Sequence, residues 1–240
     1  MKEKTIRAIQ SLRFPFVVLI AMWAIHLVKV ITGIPFVRLG ILPRHIEGLK
    51  GILTAPLIHG DWAHLISNTV PFAVLSAIIF LFYRRVAVRS FLLIYLFTGA
   101  GVWLFARNYS SVGDPIWHIG ASGVVYGLLS FVFWNGVFRR SFKAIALALI
   151  ILVMYSGYFL GIVPNQPGIS WESHLYGALV GIAVSYLFKD SIEQDEEPEP
   201  VYVDEPYDER YLLPRDTFEK TLAERQRERE MWRSDHTGTL

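Results

Sequence analysis

The sequence predicts an all-α membrane protein, a bundle of six transmembrane helices followed by a polar, disordered C-terminal tail. Three observations carry this. Hydrophobic residues make up 53% of the 240 positions and charged residues only 18%, against about 25% charged in an average soluble domain. The charge is segregated: residues 1–188 hold 15 Lys and Arg against 5 Asp and Glu, whereas residues 189–240 hold 8 against 16. The basic part contains six apolar stretches close to the ~20 residues that cross a bilayer core.

The first stretch, Phe14–Thr32, follows a charged start, Met1-Lys2-Glu3-Lys4. It is too long for a signal-peptide core and has no small-residue cleavage site, so it is expected to be a retained span. The others are Trp62–Phe82, Phe91–Ala106, Ser122–Phe138, Ala144–Ile162 and His174–Phe188. Several are short or interrupted by glycine and polar residues, which suits helices that pack on one another rather than lone anchors. They are too long and continuous for barrel strands. Residues 1–188 are therefore expected to form one six-span domain and residues 189–240 an acidic cytoplasmic tail.

Basic residues set the expected orientation. Lys2, Lys4, Arg7 and Arg13 precede span 1; Arg84, Arg85 and Arg89 join spans 2 and 3; Arg139, Arg140 and Lys143 join spans 4 and 5; Lys189 closes span 6. The 3–4 link holds only Arg107 and the 5–6 link no Lys or Arg, while Arg38, Arg44 and Lys50 in the 1–2 link run against the trend. Both termini are thus expected in the cytoplasm. The 1–2 link, about residues 33–61, is too apolar for a solvated loop and is expected partly in the interface. The 5–6 link, Pro164-Asn165-Gln166-Pro167-Gly168, is rich in turn formers. Within span 1, Lys29 and His26 are ionisable; the simple reading of Lys29 is a side chain reaching to the outer interface.

The tail opens Glu193-Gln194-Asp195-Glu196-Glu197-Pro198-Glu199-Pro200, too charged to bury a core. A helix is expected from about Asp216 to Arg233, supported by pairs such as Glu224 with Arg227. Phe218, Leu222, Met231 and Trp232 make a thin stripe for an unidentified cytoplasmic partner, although a solvated tail is the simpler reading. Without cysteine, disulfides, thiol nucleophiles and Cys-ligated metals are excluded.

Three polar clusters interrupt the apolar spans. His64 and Asn68 lie one helical turn apart at the start of span 2, behind Asp61 as an N-cap. Alone they read as a water-facing histidine and an interhelical asparagine. Ser122 stands between Gly120 and Gly123 at the start of span 4, and Gly123 with Gly127 also fits a plain helix-packing pattern. His174 opens span 6 ahead of Gly177 and Gly181, which permit close backbone approach. Together they favour chemistry, because all three clusters enter from the same non-cytoplasmic side at similar shallow depth. A serine needs an adjacent base to become a nucleophile, and histidine supplies one near neutral pH. His64, the Asn68 amide and the Ser122 N–H can serve as oxyanion donors. Asp61, Asp114 and Glu172 lie at helix ends, so a Ser–His dyad is more economical than a triad.

These clusters, in this order, resemble the rhomboid family of intramembrane serine proteases: His59, His64 and Asn68; Gly120, Ser122 and Gly123; His174, Gly177 and Gly181. The likeness covers about residues 14–188. It implies the six-helix rhomboid-like bundle, Ser122 as nucleophile and His174 as base. It also implies His64, Asn68 and the Ser122 N–H at the oxyanion, Tyr126 packed on the catalytic histidine, and His59 as a second histidine near the site. The Trp-Arg pair that many members carry in the 1–2 link is missing. The implied function is a serine endopeptidase cleaving transmembrane protein substrates in the lipid bilayer, without metal or organic cofactor and without nucleic acid. The simple six-span layout without a targeting segment suits a bacterial plasma membrane. The alternative is a catalytically silent member that binds membrane-protein clients, which has no need to keep both Ser122 and His174. A transporter would place ionisable groups at mid-membrane. A metalloprotease would need the His-Glu-x-x-His spacing, which is absent.

Overall fold

A computed structural model describes residue 10 and residues 12–140, 142–155, 157, 161, 170–191 and 220–236. These fall into two units, one within Met1–Glu196 and one within Glu197–Leu240. The first is built from six long helices: α1 (Arg13–Thr32), α2 (Trp62–Phe82), α3 (Ala87–Phe105), α4 (Ser122–Arg139), α5 (Phe142–Met154) and α6 (Trp171–Leu187). The second holds α7 (Leu222–His236). Pairing between extended segments is confined to isolated bridges, Ile41 with His118 and Tyr109 with Pro115, among the described residues.

The chain is an integral membrane protein. α1, α2 and α3 are each long and apolar enough to cross a bilayer. α4 falls short of that apolarity for a physical reason. It is the central helix, buried without a break from Gly123 to Leu128, and a helix enclosed by protein can carry Ser130 and Asn135 inward. Each of these hydroxyl or amide groups is satisfied by a carbonyl, Ala178 at 2.8 Å and Phe131 at 2.8 Å. α5 ends at Met154, with Tyr155 in a turn, and the expected turn at residues 164–168 lies outside the described residues.

In lipid, apolar contact gains little over the surrounding tails, so helices associate through close packing and polar bonds. The α4–α6 contact shows this. A Cβ on Gly177 would strike the Gly123 carbonyl and one on Gly181 the Gly127 carbonyl, so the two backbones touch along a glycine seam. α1 packs loosely, with only Pro15, Met22 and His26 buried, and Trp23 Nε1 donates to Thr69 Oγ1 on α2 at 3.0 Å. Pro15 is tolerated in its first turn, and α1 stops at Gly33, whose φ of 67° makes a left-handed cap that returns its N–H to Lys29 O.

The 1–2 link is an ordered platform of short helical turns, Phe36–Leu39, Ile46–Gly48, Gly51–Thr54 and Ala55–Leu57. Ile41, Leu42, Ala55 and Ile58 are buried in it. It is tied to α3 by Trp103 Nε1 donating to His45 O at 3.0 Å and Tyr95 Oη to Leu53 O at 2.6 Å. It reaches the approach to α4 through Gly120 N donating to Ala55 O at 2.9 Å.

In the second unit, α7 starts at Leu222, where Thr221 and Glu224 form a capping box; the expected start near Asp216 lies outside the described residues. Glu224 Oε2 accepts the Thr221 N–H at 2.7 Å, and Thr221 Oγ1 accepts the Glu224 N–H at 3.4 Å. The acidic stretch at 193–200 and Phe218 lie outside the described residues.

Candidate active site

The approach to Ser122 bends at Gly120, whose φ of 105° suits glycine. Ala121 is the N-cap of α4 and Ser122 its first residue. The first backbone bond inside the helix is Val125 N to Ala121 O at 2.9 Å. The N–H groups of Ser122, Gly123 and Val124 therefore have no intrahelical acceptor, and they form the positive end of a buried helix.

His174 lies in the first turn of α6, 7% exposed. That turn begins where Ser170 caps it by accepting the Ser173 N–H. The His174 Nδ1 is 2.8 Å from the Gly161 carbonyl. A carbonyl only accepts, so Nδ1 carries the proton and Nε2 keeps its lone pair. The ring stacks on Tyr126, with centroids 4.1 Å apart and planes 9° from parallel. Tyr126 is one turn after Ser122 on α4, hence on the same face. A Cβ on Gly123 would lie 3.0 Å from the Ser173 carbonyl, so the residues adjoining Ser122 and His174 are in contact.

The opposite side is closed by two histidines. A Cβ on Gly120 would lie 2.5 Å from His64 Nε2, so that ring covers the bend before Ser122. His64 is held in the first turn of α2 by Asp61, whose carboxylate accepts its N–H at 2.8 Å. Asn68, 4% exposed, gives one amide hydrogen to His64 O at 2.8 Å and keeps the other. His59 is 1% exposed; its Nε2 accepts the Ala121 N–H at 3.4 Å, and its ring meets His64 edge-on at 5.0 Å. Burial, helped by neighbouring His64, lowers the His59 pKa to about 4, so it is neutral and can accept. The Asp61 carboxyl is held below its ordinary value by the His64 N–H.

The structure thus gathers His59, His64, Gly120, Ser122, Gly123, Tyr126 and His174 at one end of the bundle. Asn68 lies one turn below, with Gly177 and Gly181 continuing the seam. Lys29 is more than an interfacial side chain: its ammonium binds the carbonyls of His59, at 3.0 Å, and Gly60. Sequence reasoning missed Gly161, His118 and Ser170, whose partners are remote in the chain. Among the described residues no group of three or more histidine or acidic side chains is arranged to hold a metal ion.

The sequence model of the Rhomboid domain matches residues 47–191. The chain belongs to the rhomboid family. An uncharacterized protein of Mycobacterium tuberculosis (strain H37Rv) is 38% identical over 169 residues, spanning 68% of this chain and 70% of that protein. One of Mycobacterium bovis matches to the same extent. A Mycobacterium leprae protein, also uncharacterized, is 37% identical over 143 residues, 58% of this chain and 56% of its own. The rhomboid match takes in the whole gathered site, from His59 to His174, and leaves α1 with Lys29 outside it.

Proposed function

We propose that this rhomboid is an intramembrane serine endopeptidase working through a Ser122–His174 dyad. The observation that carries the reading is the state of His174. Its Nδ1–H is committed to the Gly161 carbonyl and its ring is held flat on Tyr126. A backbone carbonyl thereby does the orienting that a carboxylate does in a triad, and Nε2 is left to act as base.

Ser122 Oγ attacks the scissile carbonyl carbon as His174 Nε2 takes its proton. The negative charge on the carbonyl oxygen is met by the Ser122 N–H, the ring N–H of His64 and the remaining Asn68 amide hydrogen, aided by the α4 N-terminus. His174 then gives its proton to the departing amine, leaving an ester on Ser122. Water attacks the ester as His174 takes its proton, and His174 then passes that proton to Ser122 Oγ as the acid product leaves. These steps use protein groups throughout and need no metal or organic cofactor. The substrate is a transmembrane segment entering laterally from lipid past α2 and α5. All six helices cross a bacterial plasma membrane with both termini in the cytoplasm.

The test is cleavage of a single-span substrate by the full chain in liposomes. Wild type cleaves it, and Ser122→Ala and His174→Ala, folded to the same melting temperature, do not. Cleavage retained by Ser122→Ala defeats the proposal. A folded wild type that binds such substrates and cleaves none supports the client-binding reading instead.

A further inference from the structure

One polar network beside the site takes no part in the chemistry above. His118 is 3% exposed and has both ring nitrogens engaged. Nε2 lies 2.8 Å from the Arg107 carbonyl, so Nε2 carries the proton. Burial holds His118 below the usual imidazole range, which keeps the ring neutral and makes Nδ1 an acceptor. Nδ1 is 2.5 Å from Ser170 Oγ, so the Ser170 hydroxyl donates to it. With its proton committed, Ser170 Oγ accepts from the Ser173 hydroxyl at 2.7 Å and from the Ser173 N–H at 3.4 Å. One carbonyl therefore orders the whole relay, Ser173 to Ser170 to His118 to Arg107.

The positions of its ends give it meaning. His118 is four residues before Ser122, and its backbone is anchored to Ile41 by bonds of 2.8 and 2.9 Å. Ser170 is the cap of α6, four residues before His174. Ser173 adjoins His174. The His118 ring thus links the segment leading into Ser122 to the cap that starts the helix of His174. Arg107 adds a parallel tie: while its carbonyl takes the His118 proton, its guanidinium pairs with Glu172, in the first turn of α6 and 3% exposed.

We propose that His118, acting through Ser170, is a positioning residue that holds the first turn of α6, and His174 with it, in register with Ser122. This rests on the Ser122–His174 reading. His118 touches no reacting atom. It sets the distance between two groups that must meet within hydrogen-bond reach, where small displacements are costly.

The test uses the full chain in detergent and reads the rate of Ser122 modification by a fluorophosphonate, alongside melting temperature. His118→Phe fills the space without accepting a hydrogen bond, and Ser170→Ala removes the link from the other side. Each slows modification by about tenfold, and Ser170→Thr, which keeps the hydroxyl, stays close to wild type. The double variant is no slower than either single one, because both break one link. A His118→Phe protein reacting at the wild-type rate, or effects that multiply in the double variant, overturns the proposal. If wild type does not react at all, the dyad reading fails, and amide exchange in residues 171–175 still decides the link. His118→Phe raises exchange there if the link holds that turn, and unchanged exchange refutes it.

Discussion

The Tyr126 and His174 rings lie 4.1 Å apart and nearly parallel, and Gly161 closes the other side of the pair. A Cβ on Gly161 would strike the Tyr126 hydroxyl and lie 3.2 Å from His174 Nδ1. Gly161→Ala is therefore expected to lower cleavage by at least tenfold, the order of effect that a misplaced catalytic group produces. The closest clash is with the hydroxyl, so adding Tyr126→Phe to Gly161→Ala restores part of the loss. Initial cleavage rates of the single and double variants check this; a double variant worse than both singles contradicts it.

Gly120 presents a different constraint. Its φ of 105° costs any other residue about 1–3 kcal/mol, and a Cβ there would meet His64 Nε2 at 2.5 Å. Gly120→Ala is expected to reduce kcat much more than it raises KM, because the displaced ring is assigned to the transition-state oxyanion. A change confined to KM would remove His64 from that role.

The glycine seam predicts a stability ranking. Gly177→Ala and Gly181→Ala each force a methyl onto a backbone carbonyl of α4, where little can yield, and are expected to cost about 1–3 kcal/mol or more. At Gly60 the nearest atom to an added Cβ is 3.8 Å away, so Gly60→Ala is expected to melt like wild type. Thermal unfolding in detergent gives the order, and equal melting temperatures for Gly177→Ala and Gly60→Ala would contradict the packing.

His59 makes stability depend on pH. Its pKa falls from 6.5 to about 4 on folding, so the unfolded chain binds the extra proton between those values. The contribution is complete above pH 6.5 and is lost as pH falls toward 4, amounting to about 3 kcal/mol. His118 shifts in the same direction. Asp61 lies outside this window because the His64 N–H holds its carboxyl below the ordinary carboxylate value. Melting temperatures across the range should fall less in His59→Gln than in wild type; parallel curves would show that His59 is not buried neutral.

The parts of this molecule legible in the sequence are those written in local spacing. Glycines around Ser122 and beyond His174 announced close approach, and Asp61 ahead of His64 announced a cap. Gly161, His118 and Ser170 gave no such signal, because their bonds to His174 and to each other span 13 and 52 positions and follow no period. Helix ends blurred where charge was read as link. α3 begins at Ala87 rather than Phe91, since Arg89 stays in the helix with its guanidinium 5.4 Å from the Phe188 ring and bonded to Arg85 O at 3.0 Å. α6 begins at Trp171 rather than His174 because Ser170 caps it. Lys29 was read by its reach toward water, whereas its partners, the carbonyls of His59 and Gly60, come from a loop whose course only folding determines.

The central claim is that Ser122 is a nucleophile activated by His174. Its most direct test is reaction of the folded full chain with a fluorophosphonate, followed by mass-spectrometric mapping of the adduct. The account predicts one adduct, on Ser122, absent from Ser122→Ala and lost from His174→Ala at equal melting temperature. An adduct on another residue, or one that forms on Ser122 as fast without His174, would contradict it.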